Sequence, residues 1–196
     1  MSDYQVIKSQ NIIEYHEHFV RECFQVHDRF KKLFPDKDST WGYGYYNIFA
    51  ATSPSPIWYN LYKEVRDLAR DFANDERPMW IQAWLNFHNA DQVLDWHGHD
   101  WPYHGYISID PKSTTTIFKG VDKRQSPFRD TQDITEVPYE YEIKNEIGNI
   151  YIGPGHRQHK VVVDDVYDDS PRITLGFDIQ TDPERPFEQW SLLPLL

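Results

Sequence analysis

One cysteine, Cys23, and two methionines are all the sulfur that the 196-residue sequence carries. A single thiol excludes an internal disulfide, an all-thiolate zinc site and an iron–sulfur cluster held by this chain alone. Any metal must therefore be held by His, Asp or Glu. Cationic residues are also scarce. Lys and Arg number 20 against 31 Asp and Glu, for a formal net charge of -11. With no basic run to track phosphates, a nucleic-acid groove is not expected. Long apolar runs are missing too: no segment approaches the roughly 20 apolar residues of a membrane span. Residues 1–10 have neither the basic start nor the apolar stretch of a secretory signal. The expectation is a soluble cytoplasmic protein that engages neither nucleic acid nor membrane. What the sequence does hold is aromatic surface. Phe, Trp and Tyr make up 16% of it, large side chains to bury in the one core that a chain of this length supports. A single domain, 1–196, is expected.

Between residues 12 and 34, Ile12, Phe19, Cys23, Phe24, Phe30 and Leu33 recur at three- and four-residue steps. That spacing places them on one face of a packing helix. Cys23 belongs to this stripe and is read as inert. His16, His18 and His27 lie in or beside the helix and are read as surface or satisfied histidines. Residues 41–55, rich in Gly, Tyr and Ser, read as a loop or irregular strand. Pro54 and Pro56 then open a second helix that runs through Asn74, with Leu61, Val65, Leu68 and Phe72 on its buried face.

Pro78 ends the helical part. Seven short alternating or apolar runs follow, at 79–87, 92–97, 104–109, 114–118, 139–143, 149–152 with 160–163, and 172–179. Helices first and strands afterwards predict a sandwich or barrel buttressed by N-terminal helices. In this reading 1–78 is a helical buttress and loop, 79–182 the β core and 183–196 a C-terminal tail. The polar segment 121–137, with three Asp and three Lys or Arg, is expected to be a long inter-strand loop and a candidate lid.

The chemistry centres on His97 and His99, two residues apart in Asp95-Trp96-His97-Gly98-His99-Asp100. On a strand such a pair shares one face, so both imidazoles can converge on one ion, with Gly98 keeping the space between them open. A third ligand must come from another strand, and His159, at the start of a later apolar run, is the candidate. Taken alone a His-x-His pair is weak, because core and surface histidines are common.

The surroundings of the pair resemble the 2-oxoglutarate and Fe(II)-dependent oxygenases of the prolyl-4-hydroxylase-like, double-stranded β-helix type, over roughly residues 80–179. The resemblance rests on Trp84-Leu85-Asn86, then His97-Gly98-His99, then Gly105-Tyr106-Ile107-Ser108-Ile109. It continues with Gly148-Asn149-Ile150-Tyr151-Ile152-Gly153-Pro154, His159 and Val161, and finally Arg172-Ile173-Thr174. It implies a mainly β fold with N-terminal helices, a cupin-like double-stranded β-helix or jelly-roll. It also implies Fe(II) held by His97, His99 and His159, and 2-oxoglutarate as cosubstrate, its far carboxylate on Arg172 with Thr174 beside it. Asn86 and Tyr106 would be further polar contacts to the cosubstrate. Dioxygen would be consumed to hydroxylate a peptide or small molecule, with ascorbate as an optional reductant.

One departure matters: His99 stands where most such enzymes have Asp or Glu. Either Asp95 or Asp100 is an alternative source of that carboxylate. His104 is read as a core or rim histidine and His156 as a substrate-side or surface residue, while Trp84, Trp96 and Trp101 are packing or pocket walls. Two other functions stay open. One is a cupin-like metal dioxygenase or isomerase that does not use 2-oxoglutarate, with Arg172 on the substrate's own carboxylate. The other is a non-catalytic module whose histidines are structural or hold zinc.

Overall fold

A computed structural model of the chain describes residues 3–41, 46–52, 55–92, 94–125, 134–181 and 192–195. Strand β1 (Gln5–Lys8) leads into the helices α1 (Gln10–Glu14), α2 (His16–Leu33), α3 (Ile48–Ala51) and α4 (Pro56–Ala73). The strands β2 (Trp80–His88), β3 (Tyr103–Asp110), β4 (Thr114–Gln125), β5 (Ile134–Lys144), β6 (Asn149–Pro154), β7 (His159–Val163), β8 (Arg172–Gln180) and β9 (Leu193–Pro194) follow.

The first predicted helix is two. Ser9 caps α1 by accepting from the Ile12 N–H at 3.1 Å. Tyr15, at φ -109° and ψ 27°, then closes α1 and opens α2. Phe19, Cys23, Val26 and Phe30 are buried on α2. Leu33, expected on the same stripe, sits on the last turn and is 74% exposed. The second predicted helix is α4, with Pro56 in its first turn. It stops at Asn74, whose left-handed φ of 46° and ψ of 44° cannot continue the helix. The predicted loop at 41–55 holds the short α3; residues 42–45 and 53–54 lie outside the described residues.

Two antiparallel sheets follow. One has the order β1-β6-β3-β8-β2-β9 and the other β5-β4-β7. Alternation along the central strands separates two environments. On β2, Ile81, Ala83, Leu85 and Phe87 join Ile173, Leu175, Phe177 and Ile179 of β8 in one core with Ile12, Phe19, Trp58, Leu61 and Val65 of the helices. Burying each Ile, Leu, Val or Phe among them contributes about 1.5–3 kcal/mol. The opposite faces of the same strands turn toward the small sheet, where Tyr106, Phe118 and Tyr151 form a second cluster. The arrangement is a double-stranded β-helix backed by helices, as the sequence predicts.

Three sequence expectations are corrected. Most of 121–137 is not a loop, because β4 and β5 pair without a break from Thr115↔Lys144 to Gln125↔Ile134; 126–133 lie outside the described residues. Its outer part, Val121 and Asp122, is exposed and so lacks the apolar alternation that would have marked a strand. The strand expected at 92–97 does not form among its described residues, since the Gln92 N–H closes a turn onto the Asn89 carbonyl, the Leu94 carbonyl accepts from Val161 and His97 bridges to His159; residue 93 lies outside the described residues. The expected tail returns to the fold, since β9 pairs with β2 and Leu195 is fully buried; residues 182–191 and 196 lie outside the described residues. Among the described residues no helix is long and apolar enough to cross a membrane.

Candidate metal centre

Between the two sheets lies a cavity of about 640 Å³. Its floor is the inward face of the large sheet: Trp84, Asn86 and His88 of β2, His104 and Tyr106 of β3, and Arg172, Thr174, Gly176 and Asp178 of β8. Cross-strand register sets Trp84 opposite Gly176, Asn86 opposite Thr174 and His88 opposite Arg172. The other wall is β7 and the irregular segment 94–101.

His97 and His99 reach the cavity from this irregular segment. His97 and His159 exchange both backbone hydrogen bonds, at 3.0 and 2.8 Å, and the Val161 N–H donates to the Leu94 carbonyl at 3.3 Å. Residues 94–99 thus run beside β7 without forming a regular strand. A further bond, from the His99 N–H to the Gly155 carbonyl, measures 2.8 Å. Gly98 does not open space between the imidazoles; it lets the backbone at His156 approach, where a Cβ would lie 3.1 Å from the carbonyl oxygen.

The three imidazoles converge, and one ring nitrogen of each lies within 4.8 Å of the others. Their tautomers follow from their partners. The Nδ1 of His97 lies 2.7 Å from the Asp95 carbonyl, and that of His159 lies 3.2 Å from the Arg157 carbonyl. A carbonyl only accepts, so both Nδ1 atoms carry hydrogen and both Nε2 atoms keep a lone pair. His99 donates its Nδ1–H to Asp178 Oδ2 at 3.1 Å. Its Nε2 is buried with no hydrogen-bond partner, and a buried acceptor without a donor requires a reason. Burial, and then the neighbouring histidines, push His159 down to about 2. Burial likewise lowers His97, against the pull of the Asp95 carbonyl. These rings are held neutral, which is the form a metal ligand needs.

The carboxylate beside this group is neither Asp95 nor Asp100. Both are exposed, and the Asp95 carboxylate accepts from the Trp96 N–H at 2.8 Å. Asp178, 1% exposed, accepts from His99 through Oδ2 and from His104 Nδ1 through Oδ1 at 2.8 Å. His104, read as a core or rim histidine, stacks on His99 with ring centres 3.6 Å apart. Asp178 was not singled out from the sequence, and His104 was named there without a place at the metal, yet period-2 alternation from Arg172 through Thr174 and Gly176 leads to Asp178 on one face.

Arg172 is 4% exposed at the other end of the floor. It donates to His88 Nδ1 at 3.1 Å, and among the described residues it pairs with no carboxylate. Burial lowers its pKa, a cost that unpaired guanidinium groups seldom bear. His88, pushed down to about 4 by burial and then by the Arg172 charge, stays neutral and accepts. Thr174 is buried nearby, the buried Tyr106 hydroxyl has no hydrogen-bond partner among the described residues, and the Asn86 side-chain Oδ1 accepts from the Ser39 hydroxyl at 2.6 Å.

Trp84 is a cavity wall over His99 and His104, and Trp101 lies on the same cavity. Trp96 lies outside, with the Lys119 and Lys160 ammonium groups over its ring at 4.0 and 4.8 Å. His156 is exposed on a turn. His16 reaches the Ile109 carbonyl, His18 pairs with Glu22 and His27 stacks on Phe87, all remote from the cavity.

No protein-family model matches the sequence, and no curated protein matches it. Solved structures do. The non-heme alpha ketoglutarate dependent carbocyclase SnoK from nogalamycin biosynthesis superposes with a TM-score of 0.58 at 12% identity, over 97% of this chain and 92% of that one. HygX from Streptomyces hygroscopicus, with nickel and 2-oxoglutarate bound, gives 0.55 at 12% identity over 93% and 84%. AviO1 from Streptomyces viridochromogenes gives 0.55 at 14% identity over 94% and 91%. At such identities the shared property is the fold, a cupin-like double-stranded β-helix.

Proposed function

We propose that the chain is an Fe(II)- and 2-oxoglutarate-dependent oxygenase, with His97, His99 and His159 as iron ligands through Nε2. The observation that carries this reading is the pairing, in one cavity, of three convergent imidazoles with a buried arginine that, among the described residues, lacks a carboxylate partner. An imidazole set with open positions suits a non-heme iron centre, and a guanidinium fork suits a carboxylate. SnoK is named as alpha ketoglutarate dependent and HygX has been obtained with 2-oxoglutarate, which supports the same cosubstrate here.

Bound iron would supply the activation of dioxygen, chemistry no side chain offers. The balanced reaction converts 2-oxoglutarate, dioxygen and a C–H bond into succinate, carbon dioxide and an alcohol. The protein's own contribution is placement. Arg172 takes the far carboxylate with paired hydrogen bonds, and Thr174, Tyr106 and the Asn86 amide offer further donors. His88 holds the guanidinium in place. The hydroxylated molecule is a peptide side chain or a small metabolite.

The test is a titration of the Fe(II)-loaded protein with 2-oxoglutarate under argon, following the charge-transfer absorption of a chelated keto acid. Arg172→Ala should weaken binding on the order of 100-fold, the loss of about 2.7 kcal/mol of charge-assisted hydrogen bonding. Unchanged binding in that variant would sink the assignment. The all-imidazole ligand set favours a second reading, a cupin-like metal dioxygenase or isomerase in which Arg172 holds the substrate's own carboxylate. In that case the absorption never develops, even with wild-type protein.

A further inference from the structure

We infer that Asp178, anchored by His104, is a positioning residue for the metal centre that restores, one imidazole away from the ion, the negative charge that the three-histidine ligand set lacks. This inference rests on the iron reading above. Both carboxylate oxygens of Asp178 are committed, Oδ2 to His99 at 3.1 Å and Oδ1 to His104 at 2.8 Å. The group is 1% exposed, and no Lys or Arg among the described residues pairs with it.

The surroundings aim the assembly at one atom. The His99 backbone is tied to Gly155 at 2.8 Å, and its ring stacks on His104 with centres 3.6 Å apart, the Trp84 ring lying 5.9 Å from His99 and 6.2 Å from His104. With Nδ1 fixed on Asp178, the unpartnered Nε2 is the only atom that the ring presents to the other two imidazoles. His97 and His159 rest on peptide carbonyls instead, so His99 alone of the three is backed by a full charge. That partner raises ring basicity and offsets one of the two positive charges of a divalent ion. The position where a ligand carboxylate is expected is thus filled by an imidazole carrying a carboxylate behind it.

Co(II) is the probe, because it binds imidazole sites and reports through its visible spectrum without turnover. Asp178→Asn should weaken Co(II) binding 10- to 100-fold and shift the visible bands, while an Asp178 of purely structural role would lower thermal stability and leave both unchanged. Wild-type protein gives a second readout that needs no variant to fold. In the Co(II) form the paramagnetically shifted His99 ring N–H should be protected from exchange with water. A wild-type protein that takes up neither Co(II) nor Fe(II) would overturn the iron reading itself. Co(II) uptake that is abolished by His99→Ala, yet within twofold of wild type in Asp178→Asn, would overturn only the role of Asp178, as would a freely exchanging His99 N–H.

Discussion

At Gly155 a Cβ would stand 1.9 Å from the Trp101 carbonyl oxygen, and at Gly176 one would stand 2.6 Å from the Trp84 ring. Gly155 lets the backbone at Trp101 approach, and Gly176 lets the Trp84 ring lie across β8 on the cavity floor. Gly155→Ala is expected to push apart the backbones joined by the His99–Gly155 bond. The cost in stability is roughly 1–3 kcal/mol, the usual range for overpacking a close contact, and the urea midpoint should fall together with Co(II) affinity. A loss of stability with full metal affinity would mean that His99 is positioned without this contact. His97, His99 and His159 were legible as candidates through the ordered elements around them, from Trp84-Leu85-Asn86 to Arg172-Ile173-Thr174, since the pair alone is weak. Asp178 and His104 were not, since alternation puts Asp178 on the face of Arg172 but does not aim it at a histidine, and His104 meets it only once β8 and β3 lie side by side.

The strands β2 and β8 each serve two environments, and their alternation of apolar with polar residues shows it. Ile173, Leu175, Phe177 and Ile179 face the helices, whereas Arg172, Thr174 and Asp178 face the cavity. Support from α2 and α4 should therefore be felt in the sheet. Phe19 is fully buried and meets Trp58 edge-on, with ring centres 5.0 Å apart. Phe19→Ala is expected to cost about 3–5 kcal/mol, measured by urea unfolding. The fold-independent reading of both helices came close because their apolar stripes repeat at the helical period. The segment 94–97, within the strand expected at 92–97, alternates apolar and polar residues as a strand does, yet no regular strand forms. It holds its course through two hydrogen bonds with His159 and one with Val161, too few for a regular ladder.

For the whole molecule, buried neutral histidines set the response to acid. His88 and His104 are each pushed down from 6.5 to about 4, chiefly by burial. The unfolded chain binds these protons near pH 6.5 while the folded one resists them, so stability is full above that pH and falls as pH drops toward 4. For His88 the interval from 6.5 to about 4 corresponds to roughly 3 kcal/mol. Asp178 is driven up by burial but held below its usual range by His104 and His99, so it adds a further loss only at lower pH. The metal-free protein should show a urea midpoint that declines from pH 7 to pH 4.5. His88→Gln, which keeps an acceptor for Arg172 and does not titrate, should flatten the curve; an unaltered slope would assign the acid response elsewhere. The sequence by itself determined that helices precede a β core and that any metal must be held by imidazole or carboxylate; that Arg172 and three spaced histidines serve one chemistry is an expectation the family resemblance adds. Periodicity and donor chemistry are properties of neighbouring residues, and those survive in one dimension. Only the tertiary structure decided that the carboxylate near the histidines is Asp178, and that His88 rests against Arg172. The two contacts join residues 79 and 84 apart in the chain: the register of β2 on β8 sets His88 against Arg172, and the hydrogen bonds that tie 94–99 to β7 and Gly155 bring His99 to Asp178.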